Sequence, residues 1–252
     1  MYPTPGMSPR VSVCLAAYNG AAHIEEQIKS ILSELGNNDE LIVVDDKSTD
    51  NTVDIVRGID DNRIRLVEAA KNAGYVRTFE RALSEASGEY VFLSDQDDVW
   101  IPGRVETMIS AMNGKDMVAS NCKHFDGPLG TFHEIRLRAK DSDHSVRNII
   151  GIIVGYRLHW GCAMAVRQRI LQQVLPFPKH MAESHDQWIA TVGNANRSIA
   201  YLEEDTILHR LHGENLTPQG IRSAPEIIRA RVAFVRNVVE AIRRSRLSGR
   251  AA

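Results

Sequence analysis

Residues 11–46 read VSVCLAAYNGAAHIEEQIKSILSELGNNDELIVVDD, and their pattern decides the fold. Apolar runs over residues 11–18 and 40–46 predict two buried strands. Between these runs, residues 22–35 carry apolar side chains at helical spacing: Ile24, Ile28, Ile31, Leu32 and Leu35. A strand, an amphipathic helix and a second strand in this order predict a βαβ unit with parallel strands.

The same alternation continues to residue 94. It predicts a short helix with Asp50 or Asn51 as its N-cap, strands over residues 63–69 and 89–94, and a helix over 74–87. We therefore predict an α/β fold with a mostly parallel central sheet that is flanked by helices.

The second half of the chain is less regular. Apolar runs predict strands over residues 117–120 and 161–167, and helical periodicity is found over 184–194. Residues 200–215 predict one or two strands that end in a histidine-bearing turn.

A C-terminal helical extension is predicted over residues 224–246. Its apolar residues step alternately by four and three positions, which gives one seam: Ile228, Val232, Val235, Val239 and Ile242. Residues 221–252 contain eight arginines and two glutamates, a net charge of +6. Either the seam packs on the main domain with the arginines solvated, or the helix contacts anionic lipid or a partner helix.

Composition excludes several classes of protein. The 252-residue chain carries a formal net charge of −2, which gives no general attraction to nucleic acid. Its three cysteines form no C-x-x-C pair, which suits a reducing cytoplasm, and Cys14 and Cys162 are expected in the core. Residues 1–10 lack the apolar region of a signal peptide and are expected to be flexible. Because no apolar run reaches the roughly 18 residues of a membrane span, we expect a cytoplasmic protein that is at most peripheral to the cell membrane.

Polar residues follow each of the first four predicted strands. They are Tyr18 and Asn19 after the first strand, Asp45 and Asp46 after the second, Asn72 after the third, and Asp95 to Asp98 after the fourth. The carboxyl ends of parallel strands meet at one edge of a sheet, where α/β proteins bind ligands. The sequence therefore predicts a ligand site at this edge.

The segment FLSDQDDVW, residues 92–100, places Asp95, Asp97 and Asp98 directly after a buried strand. Carboxylates this close raise one another's pKa unless water or a cation lies among them. An Asp-x-Asp suits Mg²⁺ or Mn²⁺, because proteins hold such ions by one or two carboxylates together with substrate phosphates. The alternative is an acidic turn that water solvates.

Other metal and nucleotide motifs are incomplete. Asp46, Ser48 and Asp50 have the spacing of a calcium-binding loop, but Asn51 stands at the required glycine and Arg57 at the required glutamate. Neither G-x-G-x-x-G nor G-x-x-x-x-G-K-[ST] occurs. The sequence therefore gives no support for an EF-hand, a dinucleotide fingerprint or a P-loop.

Five segments occur in the order found in family 2 glycosyltransferases: SVCLAAYNGAAHIEEQIKSIL, ELIVVDDKSTDNT, KNAGYVRTFERAL, ASGEYVFLSDQDDVW and HDQW. The chain resembles this family, which implies the GT-A fold, a Rossmann-like α/β architecture. The resemblance is strong over residues 10–112, moderate over 155–217 and absent in the tail. The DQDDVW form is similar to bacterial rhamnosyltransferase-like members in particular.

The resemblance implies a nucleotide-sugar site and a metal site in the first half of the chain. Asp45, with Asp46 beside it, would bind the pyrimidine base. The implied nucleotide-sugar residues are Ala16, Ala17, Tyr18, Asp45, Asp46, Arg77 (with Arg81 as its alternative), Asp95 and Gln96. The implied ligands of Mg²⁺ or Mn²⁺ are Asp97, Asp95 and His212, the last in HRLHGEN, where His209 is a neighbouring histidine.

The resemblance also implies an acceptor site in the second half. Transfer with inversion needs a general base, and Asp186 in ESHDQW is the candidate, with Glu183 and His185 as its alternatives. Asp186 would otherwise only favour the dipole of its helix. Trp160, Gly161 and His185 are expected beside the acceptor, although Trp160 could equally be a core residue.

The resemblance thus implies a metal-dependent inverting glycosyltransferase with a nucleotide-diphosphate sugar donor and a glycan or lipid-linked acceptor. It favours dTDP-L-rhamnose as the donor, with UDP-hexoses as the alternative. Residues 11–217 would form the GT-A domain, with a donor half (11–112) and an acceptor half (113–217), followed by a basic helix (218–252). A homodimer and a membrane contact through this helix are further hypotheses. Alternatives are a sugar-phosphate nucleotidyltransferase, an aspartyl phosphohydrolase and a non-catalytic binding subunit.

Overall fold

A computed structural model describes residues 9–127, 135–212 and 223–248 of the chain. Its strands are β1 (Val11–Ala17), β2 (Glu40–Asp45), β3 (Ile64–Glu68), β4 (Tyr90–Ser94), β5 (Val99–Trp100), β6 (Met117–Phe125), β7 (Met164–Arg167) and β8 (Ile199–Arg210). Its α-helices are α1 (Ile24–Leu32), α2 (Thr52–Gly58), α3 (Tyr75–Glu85), α4 (Arg104–Met112), α5 (Ser145–Val154), α6 (Leu171–Val174), α7 (His185–Ala195) and α8 (Ala224–Ser248). The elements predicted for the first half are confirmed, with ends that shift by a few residues.

The strands form one sheet in the order β3-β2-β1-β4-β7-β6-β8-β5. Strands β3, β2, β1 and β4 are parallel, as predicted. β7 runs antiparallel to both β4 and β6, while β8 is parallel to β6. The sheet is therefore parallel in its first half and mixed in its second, because β7 reverses direction between β4 and β6.

Two hydrophobic layers cover the sheet, because alternate residues of a strand point to opposite faces. Val13 and Leu15 of β1 pack with α1 and α4 on one face. Cys14 of β1 and Ile42 of β2 pack with α3 and α7 on the other. Cys14 and Cys162 are both buried, as expected. Because helices close both faces, the rim at the carboxyl ends of the strands is where polar side chains gather.

The structure adds elements that the sequence pattern did not predict. β5 is a two-residue strand that exists through its pairing with β8, where Val99 lies opposite Leu208. α4 follows Gly103, whose φ of +84° favours glycine. Residues 199–210 form a single strand, and the predicted turn beyond residue 212 lies outside the described residues.

Most of the predicted flexible N-terminus, residues 1–8, lies outside the described residues. Arg10, the last residue of the predicted N-terminus, is bonded to the body. Its side chain donates to Glu106 Oε2 at 3.1 Å, and its backbone oxygen accepts from Tyr90 N at 3.0 Å. The chain is therefore attached to the sheet from Arg10 onward, because this residue precedes β1 and continues its pairing with β4.

The apolar seam predicted along the C-terminal helix does not pack on the body. Ile228, Val232 and Val239 are 64%, 54% and 64% exposed. α8 packs instead through Asn237 and Ala241, which are buried on the opposite side of the helix. Of the two alternatives, packing of the seam on the main domain does not agree with the structure, because smaller and more polar side chains provide the contact face. In the described part of the chain, no helix has both the length and the hydropathy that a membrane span requires.

Candidate active site

The predicted edge of the sheet is assembled by hydrogen bonds between its loops. The loop after β1 is held by the loop after β2: Gly20 N donates to Thr52 Oγ1 at 2.8 Å, and Asn19 Oδ1 accepts from Thr49 N at 2.8 Å. The polar residues that follow the strands therefore lie together, as the strand order predicts. Asn72 is exposed in the loop after β3.

The acidic cluster after β4 is bound by residues at the end of β8. The antiparallel pairing of β5 with β8 brings the residues before β5 next to the residues after Leu208. His209 Nδ1 donates to Asp98 Oδ1 at 2.8 Å, and His212 Nε2 donates to Asp97 Oδ2 at 2.7 Å. Residues that are far apart in the sequence, Asp97 and Asp98 on one side and His209 and His212 on the other, thus form one cluster.

The charges in this cluster favour a bound cation. Shielding from water, followed by the charges of Asp98 and Asp97, raises the pKa of Asp95 to about 8. Burial and the charge of Asp98 also raise the pKa of Asp97, and the hydrogen bond from His212 offsets part of this shift. Carboxylate oxygens suit Mg²⁺, and an added imidazole nitrogen suits Mn²⁺. Asp97 and His212 are in contact, but among the described residues Asp95, Asp97 and His212 do not bring their ligand atoms within 4.8 Å of one another.

Asp98 and His209 form a buried pair beneath the cluster. Burial alone lowers the pKa of His209, but the charge of Asp98 and the hydrogen bond to it raise the pKa to about 8. Asp98 Oδ1 also accepts from Arg210 N at 3.1 Å. Together with Cys162, the pair places potential ligand atoms within 4.8 Å of one another. Since Asp98 and His209 already bond each other, we interpret this group as the support of the loop that carries Asp97.

Gln96 joins the loop after β4 to the loop after β1. Its Oε1 accepts from Tyr18 N at 2.8 Å, and its Nε2 donates to Tyr18 O at 3.0 Å. Gly20 leaves room for this amide, because a Cβ there would collide with it. The side-chain amide predicted to bind the nucleotide thus bonds the chain itself. The backbone of Ala16 and Ala17 ends β1 at this point, and the Tyr18 side chain is exposed at the edge.

The two aspartates after β2 are buried and accept hydrogen bonds from backbone N–H groups. Asp45 accepts from the N–H of Ser48 at 3.0 Å and from the Ser48 hydroxyl. Asp46 accepts from Ala73 N and Gly74 N, each at 2.8 Å, so its carboxylate fixes the loop that leads into α3. Both carboxylates lie at the predicted edge, and both shape the loops around it.

Arg77 points to the second half of the chain rather than along the β2 edge. Its guanidinium pairs with Glu80 at 2.6 Å and donates to the backbone oxygen of Pro178 at 3.2 Å. Arg81, its predicted alternative, is half exposed and lies 3.9 Å from Glu85. In this conformation Arg77 holds the segment that precedes α7.

Asp186 lies in the first turn of α7, where its Oδ1 accepts from Gln187 N at 2.7 Å. Shielding from solvent raises the pKa of Asp186 to about 7, although this hydrogen bond lowers it. A carboxylate with a pKa near neutrality is suited to take up a proton. The helix dipole alone would favour the ionised form, so burial outweighs it here.

Tyr75 connects the two halves of the site. Its hydroxyl accepts from Ser184 N at 3.0 Å, at the head of α7. Burial, together with the charges of Asp186, Glu183 and Asp95, raises the pKa of Tyr75 to about 12. Asp95 from the donor edge and Asp186 from the acceptor helix therefore lie within electrostatic range of one phenol. Tyr75 lies in the segment KNAGYVRTFERAL, but the sequence alone provides no reason to assign it a role.

The residues predicted beside the acceptor are buried or partly buried. His185 stacks on Phe79 with ring centroids 4.2 Å apart, and burial lowers its pKa to about 3, which makes it a poor base. Gly161 lies against His185, since a Cβ on Gly161 would fall 2.7 Å from its Nε2. Trp160 packs beside the ring of His209, with centroids 5.2 Å apart. Glu183 is exposed just before α7.

Known proteins are similar to this chain in sequence and in fold. A profile of glycosyl transferase family 2 matches residues 12–175, which contain the first seven strands.

The chain belongs to glycosyltransferase family 2.

One relative is an uncharacterized glycosyltransferase of Nostoc sp., which is 26% identical over 82% of this chain and 66% of that protein. WfgD of Escherichia coli, named a UDP-Glc:α-D-GlcNAc-diphosphoundecaprenol β-1,3-glucosyltransferase, is 40% identical over 40% of each chain. These alignments span between two fifths and two thirds of the relatives' own lengths. The sequence alternative of a sugar-phosphate nucleotidyltransferase is therefore disfavoured.

Solved structures of this family 2 fold are also similar. Residues 1–349 of Staphylococcus aureus TarS in complex with UDP-GlcNAc superpose with a TM-score of 0.67 at 18% identity, over 93% of this chain and 72% of that one. Glucosyl-3-phosphoglycerate synthase of Mycobacterium tuberculosis, in complex with Mn²⁺, UDP and phosphoglyceric acid, gives 0.56 at 20% identity, over 93% and 78%. The predicted GT-A fold is confirmed by these likenesses.

Proposed function

We propose that this family 2 chain transfers a sugar from a nucleotide diphosphate to an acceptor hydroxyl with inversion at the anomeric carbon. The observation that carries the proposal is the arrangement around Tyr75. It lies within electrostatic range of Asp95 at the donor edge and of Asp186 at the head of α7. A donor beside Asp95 and an acceptor beside Asp186 would then lie on either side of Tyr75.

In this proposal, the donor half is formed by residues 11–112 and the acceptor half by residues 113–217. The backbone of Ala16, Ala17 and Tyr18 would line the base pocket. Each oxygen of Asp45 and Asp46 has a further lone pair, so either carboxylate could accept the imide N–H of a pyrimidine base. Gln96 would hold the pocket in shape through Tyr18.

Asp97, Asp95 and His212 would hold Mg²⁺ or Mn²⁺. Asp97 and His212 are in contact at 2.7 Å, and burial and the neighbouring carboxylates raise the pKa values of Asp95 and Asp97, which supports a site that a bound cation would stabilise. When bound, such an ion would neutralise the charge of the diphosphate leaving group. The Mn²⁺ in the neighbouring mycobacterial enzyme supports this choice of ion.

Asp186 would act as the general base. Its ionised carboxylate would take the proton of the acceptor hydroxyl while that oxygen bonds to the anomeric carbon. The bond from this carbon to the diphosphate breaks at the same time, and the nucleoside diphosphate leaves. The pKa of about 7 keeps a useful fraction of Asp186 ionised at neutral pH. Arg77 and Tyr75 would position the segment that carries this base.

The donor and the acceptor are proposed from resemblance. The DQDDVW form favours dTDP-L-rhamnose, whereas the name of WfgD supports UDP-glucose and an acceptor linked to a lipid diphosphate. Both donors carry a pyrimidine base that Asp45 and Asp46 could bind. We propose a cell-envelope glycan or its lipid-linked precursor as the acceptor.

A donor panel tests the proposal. The chain is incubated with UDP-glucose, UDP-GlcNAc, dTDP-L-rhamnose and GDP-mannose, each with Mn²⁺, with Mg²⁺ or with EDTA. Hydrolysis and the shift in unfolding temperature are measured for each pair. We expect one pyrimidine donor to be hydrolysed and to stabilise the chain only when metal is present. Equal effects of all four donors, or turnover that EDTA leaves unchanged, would contradict the proposal.

A further inference from the structure

Helix α8 contacts the body through one face. Asn237 and Ala241 are buried on this face. Arg244 donates to the backbone oxygens of Val174 and Pro176 at 3.2 Å and 2.8 Å. These residues recur at spacings of three and four, so they lie on one side of the helix.

The opposite face of α8 carries an apolar row that nothing covers in the described part of the chain. We call this row the outer stripe; its members are Ile228, Val232, Val235, Val239 and Ile242, and they are between 37% and 64% exposed. Val235 and Val239 stand two positions on either side of the buried Asn237. Two positions on a helix turn the side chain by about 200°, so the outer stripe points away from the face of α8 that buries Asn237. Val235 and Val239 also border a groove beside residues 176–180.

Helix α5 extends this apolar surface. Val146, Ile150 and Val154 recur at steps of four and are 69%, 51% and 58% exposed. α5 packs against α8, and the guanidinium of Arg231 lies against Gly155 at the end of α5. Exposed apolar side chains are therefore present on two helices that pack against each other.

Arginines flank the outer stripe at regular spacing. Arg229, Arg236 and Arg243 are exposed and follow one another at steps of seven. They therefore line one side of a stripe whose own residues step by four and three. Residues 221–252 contain eight arginines and two glutamates, a net charge of +6, in a chain whose total is −2.

The arrangement of charges decides between partners. A second copy of α8 that packs antiparallel on the outer stripe would bring one arginine row against the other. A parallel copy would bring Arg231 against Arg236. Both pairings put like charges together, which opposes self-association. An anionic surface instead attracts the arginines while its apolar interior accepts the valines and isoleucines.

We propose that the outer stripe, its arginines and the exposed face of α5 bind an anionic membrane surface. α8 has 25 residues and is about 37 Å long, so it would lie in the plane of the interface. Ile228 and Val232 also border a cleft whose other wall includes Glu183, three residues before Asp186. Membrane binding through α8 would thus bring the acceptor side of the site close to the lipid surface.

Vesicle co-sedimentation of the full chain tests the proposal without donor or acceptor, so it is independent of the proposed transfer. Vesicles of phosphatidylcholine alone are compared with vesicles that contain about 30% phosphatidylglycerol. The stripe variant is Val232→Ser with Val239→Ser, and the charge variant is Arg229→Gln with Arg236→Gln. The matched charge control is Arg57→Gln with Arg169→Gln, since both arginines are more than half exposed elsewhere on the body.

We expect the wild-type chain to bind the anionic vesicles and to bind phosphatidylcholine weakly. Partition should fall about tenfold in the stripe variant and roughly twentyfold in the charge variant, about fivefold for each arginine. The control variant should bind like the wild type, and circular dichroism should show all variants folded.

The proposal is overturned if the control loses as much binding as the charge variant, or if no chain binds vesicles. A dimer in light scattering that the stripe variant abolishes would assign the stripe to a second copy. Binding only to an acidic amphipathic peptide would assign it to a protein partner.

Discussion

The carboxylates at the end of β2 and those at the end of β4 all belong to aspartates, but their surroundings differ. Asp45 and Asp46 accept hydrogen bonds from nearby backbone N–H groups at 2.8–3.0 Å. Asp97 receives a side-chain hydrogen bond from His212, and its pKa is raised together with that of Asp95. The two pairs stand at the same edge of the same sheet.

This difference separates carboxylates that build the site from those that are available for chemistry. A carboxylate that accepts several N–H bonds is stabilised as an anion and fixes the chain around it. A carboxylate crowded by other acids is destabilised as an anion, and binding a cation or a proton relieves the crowding. We therefore place Asp95, Asp97 and Asp186 in the reaction, and Asp46 and Asp98 mainly in the scaffold.

Asp97→Asn is expected to have the largest effect. Removing the anionic ligand should lower metal-dependent turnover by about a thousandfold or more, because the ion supplies several kcal/mol of charge stabilisation. Initial rates with Mn²⁺ at saturating donor measure this loss. Asp54→Asn is the matched control, because its side chain is 82% exposed on α2. If the Asp97 variant turned over at the wild-type rate in EDTA, the proposed role of the metal would be wrong.

Asp186→Asn should lower turnover by about 10²–10³-fold, within the range of a lost general base. The pKa of Asp186 is raised to about 7, so in the wild type the reactive ionised form is lost as the pH falls below 7. We expect kcat/KM of the wild type to fall about tenfold per pH unit below this value. The residual rate of the variant should not show this fall. A variant that keeps more than a tenth of the wild-type rate would move the base to another residue.

Asp46→Ala should act mainly on stability. The N–H groups of Ala73 and Gly74 would lose their carboxylate acceptor in a part-buried loop. We expect the free energy of unfolding to fall by about 2–3 kcal/mol, as measured by urea denaturation at pH 7. Asp54→Ala, at the exposed position on α2, should change it by less than about 0.5 kcal/mol. Equal stability of the two variants would contradict the distinction between the carboxylates at the end of β2 and those at the end of β4.

Asp186→Asn should have the opposite effect on stability. A pKa raised in the folded state contributes stability that is complete below the unfolded pKa and is lost as the pH rises through about 7. At pH 8 the ionised carboxylate therefore destabilises the fold, and the neutral amide should raise the free energy of unfolding by about 1–2 kcal/mol. At pH 4 the two proteins should be nearly equally stable. A destabilised variant at pH 8 would make Asp186 a structural residue.

The periodicity of the sequence was sufficient to predict the first four strands and the three helices between them. Their apolar residues recur at the periods that each element requires, and parallel order follows from the alternation of strands and helices. It also placed Asp95 and Asp97 at the correct edge. It missed β5, because two residues give no period, and it missed the reversal at β7, because strand direction depends on connections outside the run itself.

The partners of the acidic residues could not be predicted from the sequence. Asp45 and Asp97 have the same residue type and similar flanks, and only the folded chain shows that Asp45 bonds Ser48 while Asp97 bonds His212. Gln96 is a comparable case, because its two-point bond to Tyr18 depends on the register of β1 against β4. The outer stripe of α8 was visible as a seam, but periodicity does not state which of two faces meets the body.

The central claim is that the acids after β4 bind a metal that the nucleotide needs. Calorimetric titration of UDP and dTDP into the wild type and into Asp97→Asn, each with Mn²⁺ or with EDTA, tests it most directly. We predict tight binding of one nucleotide to the wild type with Mn²⁺, and an affinity about thirtyfold or more weaker after either the substitution or the removal of metal. Equal affinity of the wild type with Mn²⁺ and with EDTA would contradict the account.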